Sequence, residues 1–200
     1  MTQKILILFA HPSQHRSEVN LPLFDASLSD SELTVVDLYG EYPCYNIDVE
    51  IEQTRLKEHD VIIFMFPVYW YSTPAILKEW QDLVLEYGFA YGQDGTALHG
   101  KTLMCAITAG GAENAYDLAG YNHYTMRELL RPIEQTACLC GMSYVPPFTL
   151  FGARTAVDEN RIESHIEQWR SLLSKIKQGY FDQIETESIT TLNEILGEAT

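Results

Sequence analysis

Lys4-Ile-Leu-Ile-Leu-Phe-Ala10, running into His11-Pro-Ser-Gln-His-Arg-Ser17-Glu-Val-Asn20, is the stretch that decides the fold. A continuous apolar run that ends in a short polar loop reads as a buried parallel strand feeding a helix. Pro12 cannot continue the strand, and Ser17 is a suitable N-cap for the helix. The N-terminus of the first helix after the first strand is where doubly wound α/β proteins hold phosphate, because unpaired backbone N–H groups and the helix dipole point there. His11, Ser17 and Asn20 add side-chain donors at the same place. The chain contains neither G-x-G-x-x-G nor G-x-x-x-x-G-K-[ST], so dinucleotide-fold and nucleoside-triphosphate readings lose their main support. A site of hydroxyl, imidazole and amide groups suits a monophosphate.

Four further apolar runs read as strands: 33–38, 61–66, 102–108 and about 144–151. Helical patterns fill the intervals at 17–29, 49–58, 74–86, 124–140 and 158–177. The third has Thr73 as cap and Pro74 at its first position, with Ile76, Leu77, Trp80, Leu83 and Val84 set to face the sheet. Pro132 predicts a kink or restart in the fourth, and Asp158 is the expected cap of the fifth. Alternating strands and helices imply a parallel sheet with helices on both faces. Five strands favour the flavodoxin-like order 2-1-3-4-5, whose site lies at the carboxyl ends of strands 1, 3 and 4. One domain over 1–178 is expected, followed by an acidic tail over 179–200. In that tail Asp182, Glu185, Glu187, Glu194 and Glu198 stand without Lys or Arg, which reads as a solvated segment carrying a short helix closed by Gly197.

Composition narrows the function. Hydrophobic residues form 46% of the chain, enough for a substantial core. A net charge of −15 argues against nucleic acid and against adhesion to an anionic membrane, and no apolar run approaches the roughly 20 residues of a membrane span. The chain enters its first strand directly, leaving no room for a signal peptide. Cys44, Cys105, Cys138 and Cys140 contain no C-x-x-C pair and read as reduced thiols of a cytoplasmic protein. The six histidines show no metal-ligand spacing, so no metal is expected.

Three loops should therefore carry the chemistry: His11–Asn20, Pro67–Pro74 and Thr108–Gly111. An aromatic-rich loop can border a flat heterocycle, while paired glycines let backbone approach its other edge. Taken singly, Tyr69-Trp70-Tyr71 is also compatible with a plug at a helix end, and Gly110-Gly111 with a plain turn. Their joint placement with a phosphate loop is what favours FMN.

At these loops the chain resembles the flavodoxin-like NAD(P)H:quinone oxidoreductases, and within them the KefF/KefG-type ancillary subunits of glutathione-gated potassium efflux systems. The resemblance rests on Ala10-His11-Pro12, Ser17-x-x-Asn20, Tyr42-Pro43 with Asn46-Ile47-Asp48, and Pro67-x-x-Trp70-Tyr71-Ser72. It extends through Pro74–Trp80, Gly88-Phe-Ala-Tyr91-Gly92, Leu98-x-Gly100-Lys101, Thr108-x-Gly110-Gly111, and Cys140-Gly141 before Pro146-Pro147. By position it implies that His11, Ser17, Glu18, Val19 and Asn20 hold the flavin phosphate and ribityl chain. Pro67, Val68, Tyr69, Trp70 and Tyr71, with Thr108, Ala109, Gly110 and Gly111, would hold the isoalloxazine. Tyr116 matches a tyrosine that stabilises reduced flavin. Its partner histidine should follow six residues later, where Asn122 stands, and His123 is one further.

The implied activity is ping-pong, two-electron hydride transfer from NAD(P)H through FMN, with FAD as the alternative flavin, to a quinone. Trp70, Tyr71, Tyr91 and Tyr116 would wall the substrate pocket, at the boundary of a homodimer. The rival reading is a regulatory subunit that activates a potassium efflux transporter from the cytoplasmic side of the inner membrane. An electron-transfer flavodoxin fits the acidity but not the aromatic rim.

Overall fold

The computed structural model describes residues 2–184 and 189–196. Parallel strands β1 (Ile5–Phe9), β2 (Leu33–Asp37), β3 (Val61–Pro67), β4 (Thr102–Thr108) and β5 (Ser143–Tyr144) follow the order β2-β1-β3-β4-β5, and β6 (Phe148–Leu150) also pairs with β4. This is the flavodoxin-like order. The expected fifth strand is thus present in two pieces. Val145 still donates to Leu103, but Pro146 and Pro147 have no N–H to offer, and pairing resumes only at Phe148 opposite Ala106.

Every residue of β1, β3 and β4 is buried, which explains their unbroken apolar runs. Alternate side chains feed two separate cores. Leu6, Leu8, Ile62, Phe64, Leu103 and Ile107 pack with Leu56 of α3 (Val49–Glu58), with Ile76, Leu77, Trp80 and Val84 of α4 (Ala75–Val84), and with Ile133 and Ala137 from residues 131–139. Ile5, Ile7, Val61, Ile63, Met104 and Ala106 pack on the opposite face with Leu23 and Ala26 from residues 20–28 and with Trp169, Leu172, Leu173 and Ile176 from residues 162–177. Helices therefore cover both faces.

The helix ends differ from the sequence reading in instructive ways. A 3-10 turn at Gln14–Arg16 precedes α1 (Asn20–Leu28), so the helix starts three residues after Ser17. The Ser17 hydroxyl still accepts the Asn20 N–H at 2.9 Å. Pro74, not Thr73, occupies the cap position of α4, where no side chain caps the helix, and Leu83 stays 38% exposed instead of facing the sheet. Asp37 caps the four-residue α2 (Leu38–Glu41), an element absent from the sequence reading. The fourth helical pattern restarts as expected: α5 (Met126–Leu129) ends at Leu130 and α6 (Arg131–Leu139) carries Pro132 in its first turn. Asp158 does not cap α7 (Ile162–Lys177). Residues 153–160 fold into turns, with Asn160 at φ 55°, and the helix begins only after Arg161.

The C-terminal segment is not simply solvated. Leu192 is fully buried, its N–H donates to Pro147, and Asn193, the first residue of α8 (Asn193–Leu196), accepts the Thr149 N–H of β6 at 2.8 Å. Ile189 accepts from the Arg127 guanidinium. The apolar residues of this stretch dock beneath the sheet edge, where burial and the free edge groups of β6 outweigh its acidity. Gly197 and the glutamates at 185, 187 and 198 lie outside the described residues.

Candidate active site

At the carboxyl ends of β1, β3, β4 and β6 a cleft opens in two lobes of about 420 and 690 Å³, which share Val68, Tyr69, Gly110 and Arg154. The smaller lobe is lined by His11, Ser13, Arg16, Ser17, Glu18, Val19, Asn20, Pro67 and Thr108. Asn20 is buried and bridges two elements: its Nδ2 donates to Ser17 Oγ at 3.2 Å and to Thr108 Oγ1 at 3.0 Å. That bridge ties the β1–α1 loop to the end of β4 and fixes the Ser17 hydroxyl at the lobe wall. The His11 Nδ1 accepts the Ser13 N–H at 3.1 Å, which leaves Nε2 as the protonated nitrogen of the neutral ring. Burial lowers the His11 pKa, although the residue's own backbone and Asp37 act against it. The lobe therefore presents neutral donors beside the Arg16 and Arg154 guanidinium groups, which outnumber the one lining carboxylate, Glu18, a suitable setting for a phosphate.

The larger lobe is lined by Val68, Tyr69, Trp70, Tyr71, Gly110, Gly111, Ala115, Tyr116, Tyr121, Asn122 and Arg154. Tyr69 and Ser72 exchange backbone hydrogen bonds of 3.1 and 3.0 Å around Trp70 and Tyr71, whose φ values are 49° and 63°. Two consecutive bulky residues in the left-handed region are costly for L-amino acids, and such turns normally carry Asn or Gly. The turn lifts Trp70 to 93% exposure at the cleft rim, beside Tyr121 at 86%. Among the described residues, the Gly110 N–H meets no backbone acceptor and is available to a ligand. A Cβ on Gly111 would come within 3.2 Å of the Tyr116 ring, which explains glycine there. Burial raises the Tyr116 pKa, more than the Gly111 backbone and Arg154 lower it, and the phenol stays neutral.

A family profile described as Flavodoxin_2, flavodoxin-like fold, matches residues 3–173. The chain belongs to this family. A general stress protein 14 from Treponema denticola, solved in complex with FMN, superposes with a TM-score of 0.80 at 37% identity, covering 86% of this chain and 98% of that one. An NADPH-quinone reductase from P. pentosaceus gives a TM-score of 0.73 at 31% identity over 85% and 97%. The glutathione-regulated potassium-efflux system ancillary protein KefG of Cronobacter sakazakii is 46% identical over 153 residues, 76% of this chain and 83% of KefG.

Within this Flavodoxin_2 chain most of the expected site residues converge on the cleft, and three do not. Ala109 is buried with both backbone groups engaged, its N–H to Leu150 and its carbonyl to Ala153, so it supports the wall without facing a ligand. Tyr91 packs edge-on to Tyr87 at a ring-centroid distance of 5.8 Å and lies outside the lining, because its loop is held against the core by bonds such as Ala97 N–H to Phe89. His123 is exposed at φ 61° and does not line the cleft. Asn122 does, with its Oδ1 accepting from the Tyr71 hydroxyl at 3.2 Å. Residues the sequence reading passed over include Arg16, Tyr121, Asn122 and above all Arg154. The available signal was a cation directly after the last strand in a chain with only 13 Lys and Arg against 28 Asp and Glu.

Proposed function

We propose that this chain is an FMN-dependent NAD(P)H:quinone oxidoreductase. The observation that carries the reading is the continuity of an anion-suited lobe with an aromatic-walled one across Gly110. One end fits the phosphate of FMN and the other a stack of planar rings. Ser17, Arg16 and the backbone N–H groups of Glu18 and Val19 would hold the phosphate, while the Gly110 N–H would bond the pyrimidine edge of the flavin. When bound, FMN would supply two-electron hydride chemistry between NAD(P)H and the acceptor, in ping-pong order. Val68, Tyr69 and Tyr116 restrict water around that chemistry, and Trp70, Tyr71 and Tyr121 form the face on which nicotinamide and quinone would stack in turn. The FMN complex of the Treponema protein and the name of the P. pentosaceus reductase support the same reading. The test is purification, an absorbance spectrum and identification of the released flavin, followed by NADH and NADPH oxidation with a quinone acceptor. A colourless protein that FMN cannot reconstitute overturns it.

A second, compatible reading is regulatory. Likeness to KefG, together with exposed Trp70, Leu118, Tyr121 and Tyr124, suits a cytoplasmic subunit that pairs with a second copy and docks on a potassium efflux transporter. Potassium efflux from vesicles carrying such a transporter, measured with and without the purified protein, decides it. Identical efflux rules out this role.

A further inference from the structure

We propose that Arg154 is the fixed positive charge of the redox compartment, placed beside Gly110 to stabilise the negative charge that a bound flavin gains on reduction. The inference rests on the FMN reading above and adds a residue role to it.

Three observations carry it. Among the described residues, Arg154 is the sole charged side chain lining the aromatic lobe, where the remaining polar side chains, Asn122 and the tyrosines, are uncharged. Its position is imposed from two sides. Gly152 N–H donates to Gly111 at 2.7 Å and Ala153 N–H donates to Ala109 at 2.9 Å, so the loop carrying Arg154 is sewn to the backbone that lines the cleft. From behind, the Arg161 guanidinium bonds the carbonyls of Phe151 and Gly152, both at 2.9 Å. A Cβ on Gly110 would lie 3.3 Å from Arg154 Nε, so glycine leaves this guanidinium room against the backbone. Finally, Arg154 forms no ion pair among the described residues, whereas Arg55, Arg127, Arg131 and Arg161 all face carboxylates. In a chain of net charge −15, an arginine without a carboxylate in a ligand cleft remains available to an anion.

The charge balance identifies the anion. A hydride carries two electrons and one proton, so its arrival leaves a neutral isoalloxazine with one extra negative charge, while the nicotinamide departs oxidised and positive. A cation carried beside the ring on a pinned loop favours that state over the neutral, oxidised one. Arg154 also lines the phosphate lobe, so a simple phosphate clamp is the competing role, and it predicts a different pattern.

The experiment measures dissociation constants of the full chain for oxidised FMN and for dithionite-reduced FMN under anaerobic conditions, in wild type, Arg154→Gln and Arg154→Lys. Arg154→Gln should weaken reduced FMN about tenfold to hundredfold more than oxidised FMN, lowering the flavin midpoint potential accordingly, and Arg154→Lys should restore most of the difference. Equal weakening of both forms assigns Arg154 to the phosphate and overturns the proposal, as does no change in either. Wild-type protein that binds no FMN in either state instead removes the functional reading itself. Arg154 is exposed, so flavin-free variants should melt with wild type, which separates binding from folding.

Discussion

Asn20 shows how a residue chosen for its ligand chemistry can also hold the scaffold. Its amide joins Ser17 to Thr108, so Asn20→Ala leaves the buried Thr108 hydroxyl without this partner and should cost about 1–3 kcal/mol in urea unfolding of the flavin-free chain. Ser17→Ala removes the acceptor of both the Asn20 N–H and the Asn20 Nδ2 and should cost about 1 kcal/mol while also weakening FMN. If the two variants unfold at the same urea concentration as wild type, the bridge is not a stabilising element. His165 makes a separate prediction. It stacks on Phe148 at 4.4 Å, its Nε2 is buried without a partner, and burial brings its pKa down to about 4. The unfolded chain takes up that proton near pH 6.5 and the folded chain only near pH 4, so protonation favours unfolding as pH falls between those values. Stability from this group is complete above pH 6.5 and falls by about 3 kcal/mol by pH 4. His165→Gln should remove that component from the pH dependence, and an unchanged profile would contradict the assignment.

At the scale of elements, the turn at Tyr69–Ser72 shows local preference yielding to function. Trp70 and Tyr71 both stand at positive φ, where an L-residue pays about 1–2 kcal/mol. Tyr71→Gly should raise the melting temperature of the flavin-free protein, with about 1 kcal/mol gained, while kcat/KM for quinones drops because the wall is lost. A less stable Tyr71→Gly protein with intact quinone kinetics would reverse the interpretation of this turn. The β1, β3 and β4 runs, the start of α3 and the Pro132 restart were all legible, because each follows from local spacing and proline geometry. The ends of α1, α4 and α7 were not. Ser17, Thr73 and Asp158 are all good caps by type, but a 3-10 turn intervenes before α1, Pro74 takes the cap position of α4, and the turns before α7 are held by the bonds of Arg161 to Phe151 and Gly152.

For the whole molecule, the acidic C-terminal stretch and the aromatic rim have opposite fates. Leu192 is buried under the sheet edge, so Leu192→Ala should cost about 2–4 kcal/mol, where a solvated tail would show no effect in thermal unfolding. The rim stays open, and Trp70, Tyr121 and Tyr124 form the face expected to meet a second copy. Trp70→Glu combined with Tyr121→Glu should shift the chain from dimer to monomer in light scattering. A wild-type monomer at micromolar concentration would place the rim in some other service.

The sequence by itself determined the parallel sheet, its order and the three loops that meet at its carboxyl edge, because buried strands must be apolar throughout and their connections must cross over. Five loop residues that line the cleft, Ser17, Tyr69, Trp70, Gly110 and Gly111, could be named because they follow those strands directly. Tertiary structure alone decided which side chains face the cleft. Arg154 reaches it only because backbone bonds sew its loop to Ala109 and Gly111, and Asn122 enters while His123 turns outward at positive φ. Such choices depend on contacts between residues far apart in the chain, and no local pattern of polarity or spacing encodes them.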